Sequence, residues 1–519
     1  MTPESLSQMI SDFLLSARAA VVIEDGAVAF NLSDSKYSVS GEQHKCLIHL
    51  WSSERNFVRR VLDAEIKSTT LRLQVQRMGQ TRPTRLDFCR DRDQRSAGAR
   101  RAARTSYEPL LRRVLEKTFL GWTIVRLTTS VDIKNSFGPA YLRGWLRRGQ
   151  RSLAILGVNA EETQSTIDGA LTCGILWLDA CRLAQKDRSV VEGLVMIVPK
   201  GTATLTQQRM AQLHPAAAKW SLYEFDQREN AVNQIDLSDR GNLATRLTHA
   251  VDEAAVFERF AASIARIREI LPQAEIVPLS PATVSFRRYG LEFGQARIAH
   301  DPRTFESKPE IVFGIGAEER VLESQNETQF AELVRLAAAI RNKRGPKNHA
   351  LWRMHPERWL ESLVIMNLSA LDGRLRQEFV YPQLPAFAAA DRAMIDILAE
   401  TNDSRLAVIE LKADEDIHLP LQGVDYWARI VWHQSREELT QFGYFPGRQI
   451  SPQKPLLMLV APALHVHPTT DAILRYLSPE IEWQVLGIDE HWREEIKVVF
   501  RKSPDRSGAR SKPQLPISA

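Results

Sequence analysis

The stretch AMIDILAETNDSRLAVIELKAD, residues 393–414, decides the fold of the C-terminal third of this chain. Two runs rich in Ile, Leu, Val and Ala flank Asn402-Asp403-Ser404, residue types that suit a tight turn. The pattern predicts two strands paired antiparallel about residue 403, which sets Asp396 opposite Glu410 with Cβ atoms about 5 Å apart. Side chains alternate along a strand, so Glu410 and Lys412 share a face, about 7 Å apart. Two carboxylates and one ammonium are therefore expected at one spot.

The surroundings give that cluster its meaning. LAVIEL, residues 406–411, is apolar enough for a central strand, and a glutamate inside it is expensive to bury without a function. Two carboxylates this close repel each other unless a cation lies between them, and hard oxygen ligands suit Mg²⁺. Such an ion polarises a phosphodiester and lowers the pKa of a water, while the adjacent lysine orients that water or neutralises charge developing on the phosphate. An acid–acid–lysine cluster thus suits phosphodiester hydrolysis.

Outward from this hairpin, the sequence repeats itself. SLAILGVNAEET (152–163) lines up with RLAVIELKADED (405–416) at an offset of 253. The same offset carries Tyr107-Glu108 onto Leu360-Glu361 and YLRGWLRRG (141–149) onto MIDILAETN (394–402). The expectation is a tandem duplication of one α/β unit, over residues 105–250 and 350–500. A small α/β or β-rich module precedes the first copy at 1–90, and a helix followed by a β-rich module precedes the second at 251–345. The Gly345-Pro346 breaker marks a boundary, and the Pro/Ser-rich tail from Lys502 is expected to be disordered. A chain of 519 residues is too long for one core, so several domains are expected in any case.

Composition adds bounds. Hydrophobic content of 44% and charged content of 25% are those of a globular protein, and a net charge of +5 permits a polyanionic partner without requiring one. The four cysteines form no CxxC pair, which suits a reducing cytoplasm. The first twenty residues lack the basic start of a secretion signal, and no apolar run is long enough to span a membrane.

The motif order around the hairpin resembles the PD-(D/E)XK nuclease superfamily, particularly its RecB-like branch. That family shows a helix bearing a glutamate, then hxD, then hExK, then a helix bearing QxxxY. This chain has Glu361 in PERWLESLVIMNLSAL, Asp396 in MIDIL, Glu410 and Lys412 in VIELK, and Gln422 and Tyr426 in LQGVDYWARI. The resemblance covers residues 350–460. It implies that Asp396, Glu410 and the main-chain carbonyl of Leu411 hold Mg²⁺ or Mn²⁺. It further implies that Glu361 holds a metal-bound water, that Lys412 positions the attacking water, and that Gln422 and Tyr426 support the site. Glu357, one turn before Glu361, competes for the helix role; the match of Glu108 to Glu361 favours the latter. His465 and His467 in ALHVHP are read as alternating at a strand end, without the third ligand of a closed metal site.

At the same offset the first copy has Arg143, Gly157 and Asn159 where the second has Asp396, Glu410 and Lys412. It is expected to keep the fold and lose the chemistry. Its Arg143, Arg147, Arg148 and Arg151 lie near one hairpin, a candidate phosphate-backbone surface, or else a solvated turn. The expected architecture is two tandem PD-(D/E)XK-like domains, each a mixed sheet flanked by helices, the first degenerate and the second a Mg²⁺-dependent deoxyribonuclease. A catalytically silent DNA-binding scaffold and a nuclease acting on RNA are the alternatives. No GxxxxGK[ST] motif is present, so any unwinding belongs to a separate helicase partner in a defence or repair setting.

Overall fold

The computed structural model describes residues 2–504 except 17–20, 25–26, 33–35, 42–44, 52–55, 68–69, 78–82, 90–96, 133–136, 185–188, 228, 239–244, 301–306, 316–318 and 389–390. The sequence-expected tail beyond residue 504 lies outside the described residues. Its first residue does not: Lys502 ends a paired strand, Val498–Lys502.

The described residues form a mixed α/β structure with four sheets. Strands between Val21 and Cys89 form a seven-stranded antiparallel sheet. The amphipathic helix Pro3–Ser16 lays Leu6, Ile10, Phe13 and Leu14 on it, the spacing of one helical face. A five-stranded antiparallel meander, Glu275 to Val321, is covered in the same way by helices Glu253–Arg259, Ala261–Ile270 and Glu327–Ile340. Phe260, at the break between the first two of these helices, is fully buried there.

The two remaining sheets share one topology. The first comprises β1 (Thr123–Thr128), β2 (Tyr141–Arg148), β3 (Arg151–Val158), β4 (Val190–Pro199), β5 (Lys219–Asp226) and β6 (Ala231–Ile235), in sequential order. The second adds an edge strand β7 (Thr245–Leu247) to β8 (Tyr381–Ala388), β9 (Asp391–Glu400), β10 (Leu406–Leu411), β11 (Leu456–Pro462), β12 (Trp483–Ile488) and β13 (Val498–Lys502). Apart from the antiparallel edge strand β7, the first three strands of each sheet are antiparallel, the next two pairings are parallel, and the last is antiparallel. Parallel strands covered on both faces read as near-continuous apolar runs, and every residue of β10 is buried.

Helices occupy both faces. The crossover between β3 and β4 is α2 (Ala170–Ala184), and the crossover between β10 and β11 contains α5 (Leu419–Gln434). With α3 (Ala203–Met210) and α6 (Thr470–Leu474), they fill one hydrophobic core shared by both sheets. The outer face of the first sheet packs on α1 (Ala97–Thr118), and that of the second on α4 (Pro356–Met366).

One expectation fails at the hairpins. The β9–β10 ladder has Ile397 opposite Ile409 and Leu398 opposite Val408, which leaves three residues, 402–404, in the turn. The β2–β3 ladder pairs Arg148 with Arg151, leaving only Gly149 and Gln150. The ungapped offset therefore cannot run through both strands. Gly174 on α2 and Gly423 on α5 fix the true equivalence, because each approaches the same two places on the following strand. A side chain at Gly174 would meet Leu194 and Met196, and one at Gly423 would meet Leu457 and Leu459. Met196 pairs with Leu156 and Leu459 with Glu410, so Leu156, not Gly157, occupies the position of Glu410. Val158 rather than Asn159 then corresponds to Lys412. Arg143, opposite Leu156, does correspond to Asp396.

Candidate active site

The turn between β9 and β10 is tied by its own side chains. Thr401 Oγ1 accepts from the Arg405 amide at 3.1 Å, and Ser404 takes a left-handed φ of 61°. That closure fixes the register, which at the far end brings Asp396 beside the Glu410–Leu411 segment. The Leu411 amide donates to Asp396 Oδ2 at 2.9 Å.

Glu410 is 2% exposed. Its Oε1 accepts from Lys412 Nζ at 3.3 Å, while Oε2 is buried with no hydrogen-bond partner among the described residues. An ionised carboxylate so placed costs several kcal/mol, and a whole domain is stable by only about 5–15 kcal/mol. Burial, and then the charge of Asp396, accordingly push Glu410 well above the ordinary carboxylate range, against the opposing pull of Lys412. For Lys412, burial favours the neutral amine. The carboxylates of Glu410, Glu357, Asp396 and Asp416 outweigh it and raise the pKa, so the ammonium is retained. Its Nζ lies 3.7 Å from Glu357 Oε1.

Two acids come from α4, whose first turn begins at Pro356 after a left-handed His355. Glu361 is buried; its Oε2 accepts from Arg358 Nη1 at 2.9 Å and from Gln383 Nε2 at 2.7 Å. Burial pushes it up to about 7; Arg358 and Arg287 oppose the shift and Asp396 adds to it. Glu357 is also raised, by burial above all, with Lys412 opposing. Both glutamates therefore feel Asp396. Glu361 is engaged by Arg358 and Gln383, while Glu357 reaches Lys412.

Gln383 escaped the sequence reading. It sits in β8 with a left-handed φ of 51°, donates to Glu361 and, at 3.5 Å, to Asp396 Oδ1, and leaves Oε1 buried without a partner among the described residues. The signal for it was a lone amide between Pro382 and Pro385 in a strand that is otherwise apolar or aromatic.

Helix α5 closes the site. Gln422 Oε1 is buried and has no hydrogen-bond partner among the described residues. Tyr426, one turn on, has its hydroxyl pKa raised by burial first and then by the charges of Glu410 and Asp396, so it stands in the field of both. Between them, Asp425 is gripped by Arg209 of α3 at 2.8 Å, and Arg209 also donates to the Asp168 carbonyl. Asp396 of β9, Glu410 of β10 with Lys412 just beyond it, Glu361 of α4 and Tyr426 of α5 thus converge from four elements, joined by Glu357 and Gln383, with Gln422 one turn before Tyr426 on α5.

Orphaned acceptors on Glu410 and on Gln383, which also touches Asp396, fit a hard divalent cation, which needs oxygens and tolerates neutral amides. Among the described residues no three His, Cys, Asp or Glu side chains form a ready ligand group. The candidate set is instead two carboxylates and the Leu411 carbonyl, with Glu361 turned to its own partners. His465 and His467 do not join it, and they do not lie at a strand end. They follow β11 in and after a single 3₁₀ turn, where His465 faces Glu490 at 3.6 Å and His467 faces Glu415 at 3.8 Å.

In the first sheet the corresponding positions are Arg143, Leu156, Val158, Cys173 and Trp177. Arg143 is not on the hairpin surface with the other arginines. It is 2% exposed and lies over the rings of Phe137 and Trp177. Arg147, Arg148 and Arg151 are exposed near the turn, with Arg151 paired to Glu192. No helix among the described residues is long and apolar enough to cross a membrane. No known family model matches the chain, and no curated protein matches it.

Proposed function

We propose that this chain is a metal-dependent nuclease hydrolysing phosphodiester bonds in DNA, and that its two mixed sheets are tandem PD-(D/E)XK-like domains, the second active and the first degenerate. The observation that carries this reading is the buried Glu410 carboxylate, with one oxygen unsatisfied, against the Lys412 ammonium and in the field of Asp396. Asp396, Glu410 and the Leu411 carbonyl would hold Mg²⁺ or Mn²⁺. Bound there, the ion supplies Lewis-acid polarisation of the phosphodiester and acidifies a water.

The chain's own groups do the rest. Lys412, kept charged between Glu410 and Glu357, orients the attacking water and offsets charge on the phosphate. Glu361, held up to about 7, exchanges a proton near neutral pH. Gln383 spaces Glu361 from Asp396, and Gln422 and Tyr426 wall the site from α5. In the first sheet an arginine, a leucine and a valine replace the acid–acid–lysine set, so no cation is held there. Four reduced, buried cysteines suit work in the cytoplasm.

Incubating the purified protein with plasmid DNA, linear DNA and an RNA of matching sequence tests this directly. Cleavage of DNA with Mg²⁺ and none with a chelator is the expected result. Cleavage of RNA alone would reassign the substrate, and no cleavage of any would leave the scaffold alternative standing.

A further inference from the structure

We propose that the first mixed sheet carries a phosphate-binding pocket, formed by Arg143 and Arg126 at the place where the second sheet carries its carboxylates. A cavity of about 350 Å³ opens there, lined by Arg126, Thr128, Ser130, Val131, Asp132, Arg143 and Trp177. Two of these, Arg143 and Trp177, are the counterparts of Asp396 and Tyr426. Substitution has therefore inverted the sign of the cleft while a cleft remains.

Arg143 is the decisive group. It is 98% buried, its Nη2 donates to the Ser130 carbonyl, and its Nε is buried with no hydrogen-bond partner among the described residues. A guanidinium carries five N–H donors in a planar fork, the shape that matches a phosphate in two parallel bonds. Burial pulls its pKa down; the charge of Asp132 opposes that pull and the like charge of Arg126 adds to it. Arg126 forms no ion pair among the described residues, and a bulge at Val125 displaces it along β1. Thr128 Oγ1 donates to Ser130 Oγ at 2.9 Å, which leaves the Ser130 hydroxyl proton available to a ligand oxygen. Two arginines against one aspartate leave the lining one charge positive, as an anion pocket requires.

The shared chemistry is a phosphate group with free oxygens. Inorganic phosphate or a mononucleotide is one source, and the terminal phosphate of a DNA strand is the other. The phosphate chemistry stands on the arginines alone; only the strand-end source rests on the proposed nuclease function.

Calorimetric titration of the full chain with inorganic phosphate, in chelator and low salt, tests the pocket. Wild type should bind it, Arg126→Ala should bind at least about tenfold more weakly, and Arg143→Gln should not bind. Arg126 is exposed, so its variant should fold even if Arg143→Gln does not. Fluorescence anisotropy with 5′-phosphorylated and 5′-hydroxyl oligonucleotides then separates the sources. Preference for the phosphorylated strand, lost in Arg126→Ala, assigns a strand end. Phosphate binding without that preference assigns the free or mononucleotide source. No phosphate binding by wild type, or undiminished binding by folded Arg126→Ala, overturns the pocket. Glu410→Ala, which removes cleavage if the nuclease reading holds, should bind phosphate as wild type does, so either idea can fail alone.

Discussion

Glu361 and Glu410 carry the electrostatic tension of the site, and it can be measured without any substrate. Glu361 sits near 7 in the fold against an ordinary 4.5, so the folded state holds its proton more tightly than the unfolded chain does. Stability from such a raised group is complete below about 4.5 and is lost as pH rises through 7. The metal-free protein should therefore lose up to about 3 kcal/mol from this group between pH 5 and 8. Urea unfolding of wild type and Glu361→Gln at both pH values checks this; equal losses would show that Glu361 is not the source. Glu410 was legible as a candidate-site residue because a charge inside LAVIEL has no cheap structural role. Gln383 was not, because its importance comes from a left-handed backbone that turns one amide between two acids. Arg143 was legible as a replacement for Asp396 but not as a buried group, since its sequence neighbours are exposed arginines.

The hairpins were readable as hairpins. Their lengths were not comparable without the structure, since Gly149-Gln150 and Asn402-Asp403-Ser404 are both good turns and differ by one residue. That difference moves every later equivalence to the other face of the sheet. The exposed end of the first hairpin still offers Arg147 and Arg148 to a polyanion. If they touch the DNA backbone, Arg147→Ala with Arg148→Ala should flatten the slope of log affinity against log salt by about two units. The loss should be the same for unrelated sequences; an unchanged slope would make the hairpin a solvated turn. Helix α5 depends on a contact that no local pattern announces, the buried Arg209–Asp425 pair at 2.8 Å. Arg209→Ala would leave Asp425 half-buried and unpaired, costing about 3–5 kcal/mol. Because Asp425 lies between Gln422 and Tyr426, cleavage at saturating DNA should fall as well. Chemical unfolding and kcat on the same variant separate the two effects.

At the scale of the molecule, the two mixed sheets enclose one helical layer in which Leu176 and Trp177 belong to the same core as Leu421 and Trp427. The α/β character and the repeat were visible in the sequence because apolar strands and their crossover helices leave a periodic trace. The shared layer was not, since a buried helix looks alike whichever sheet it faces. This arrangement places Arg143 in one sheet at the position that Asp396 holds in the other, and under the proposed function all hydrolysis belongs to the second. The most direct test is Mg²⁺-dependent cleavage of linear DNA by wild type, Glu410→Ala and Lys412→Ala in parallel, with circular dichroism to show that each is folded. Cleavage by wild type and a loss of at least about a thousandfold in both variants is the expected result, since each removes a proposed metal ligand or the proposed water-positioning lysine. Folded variants that cut at the wild-type rate would contradict it.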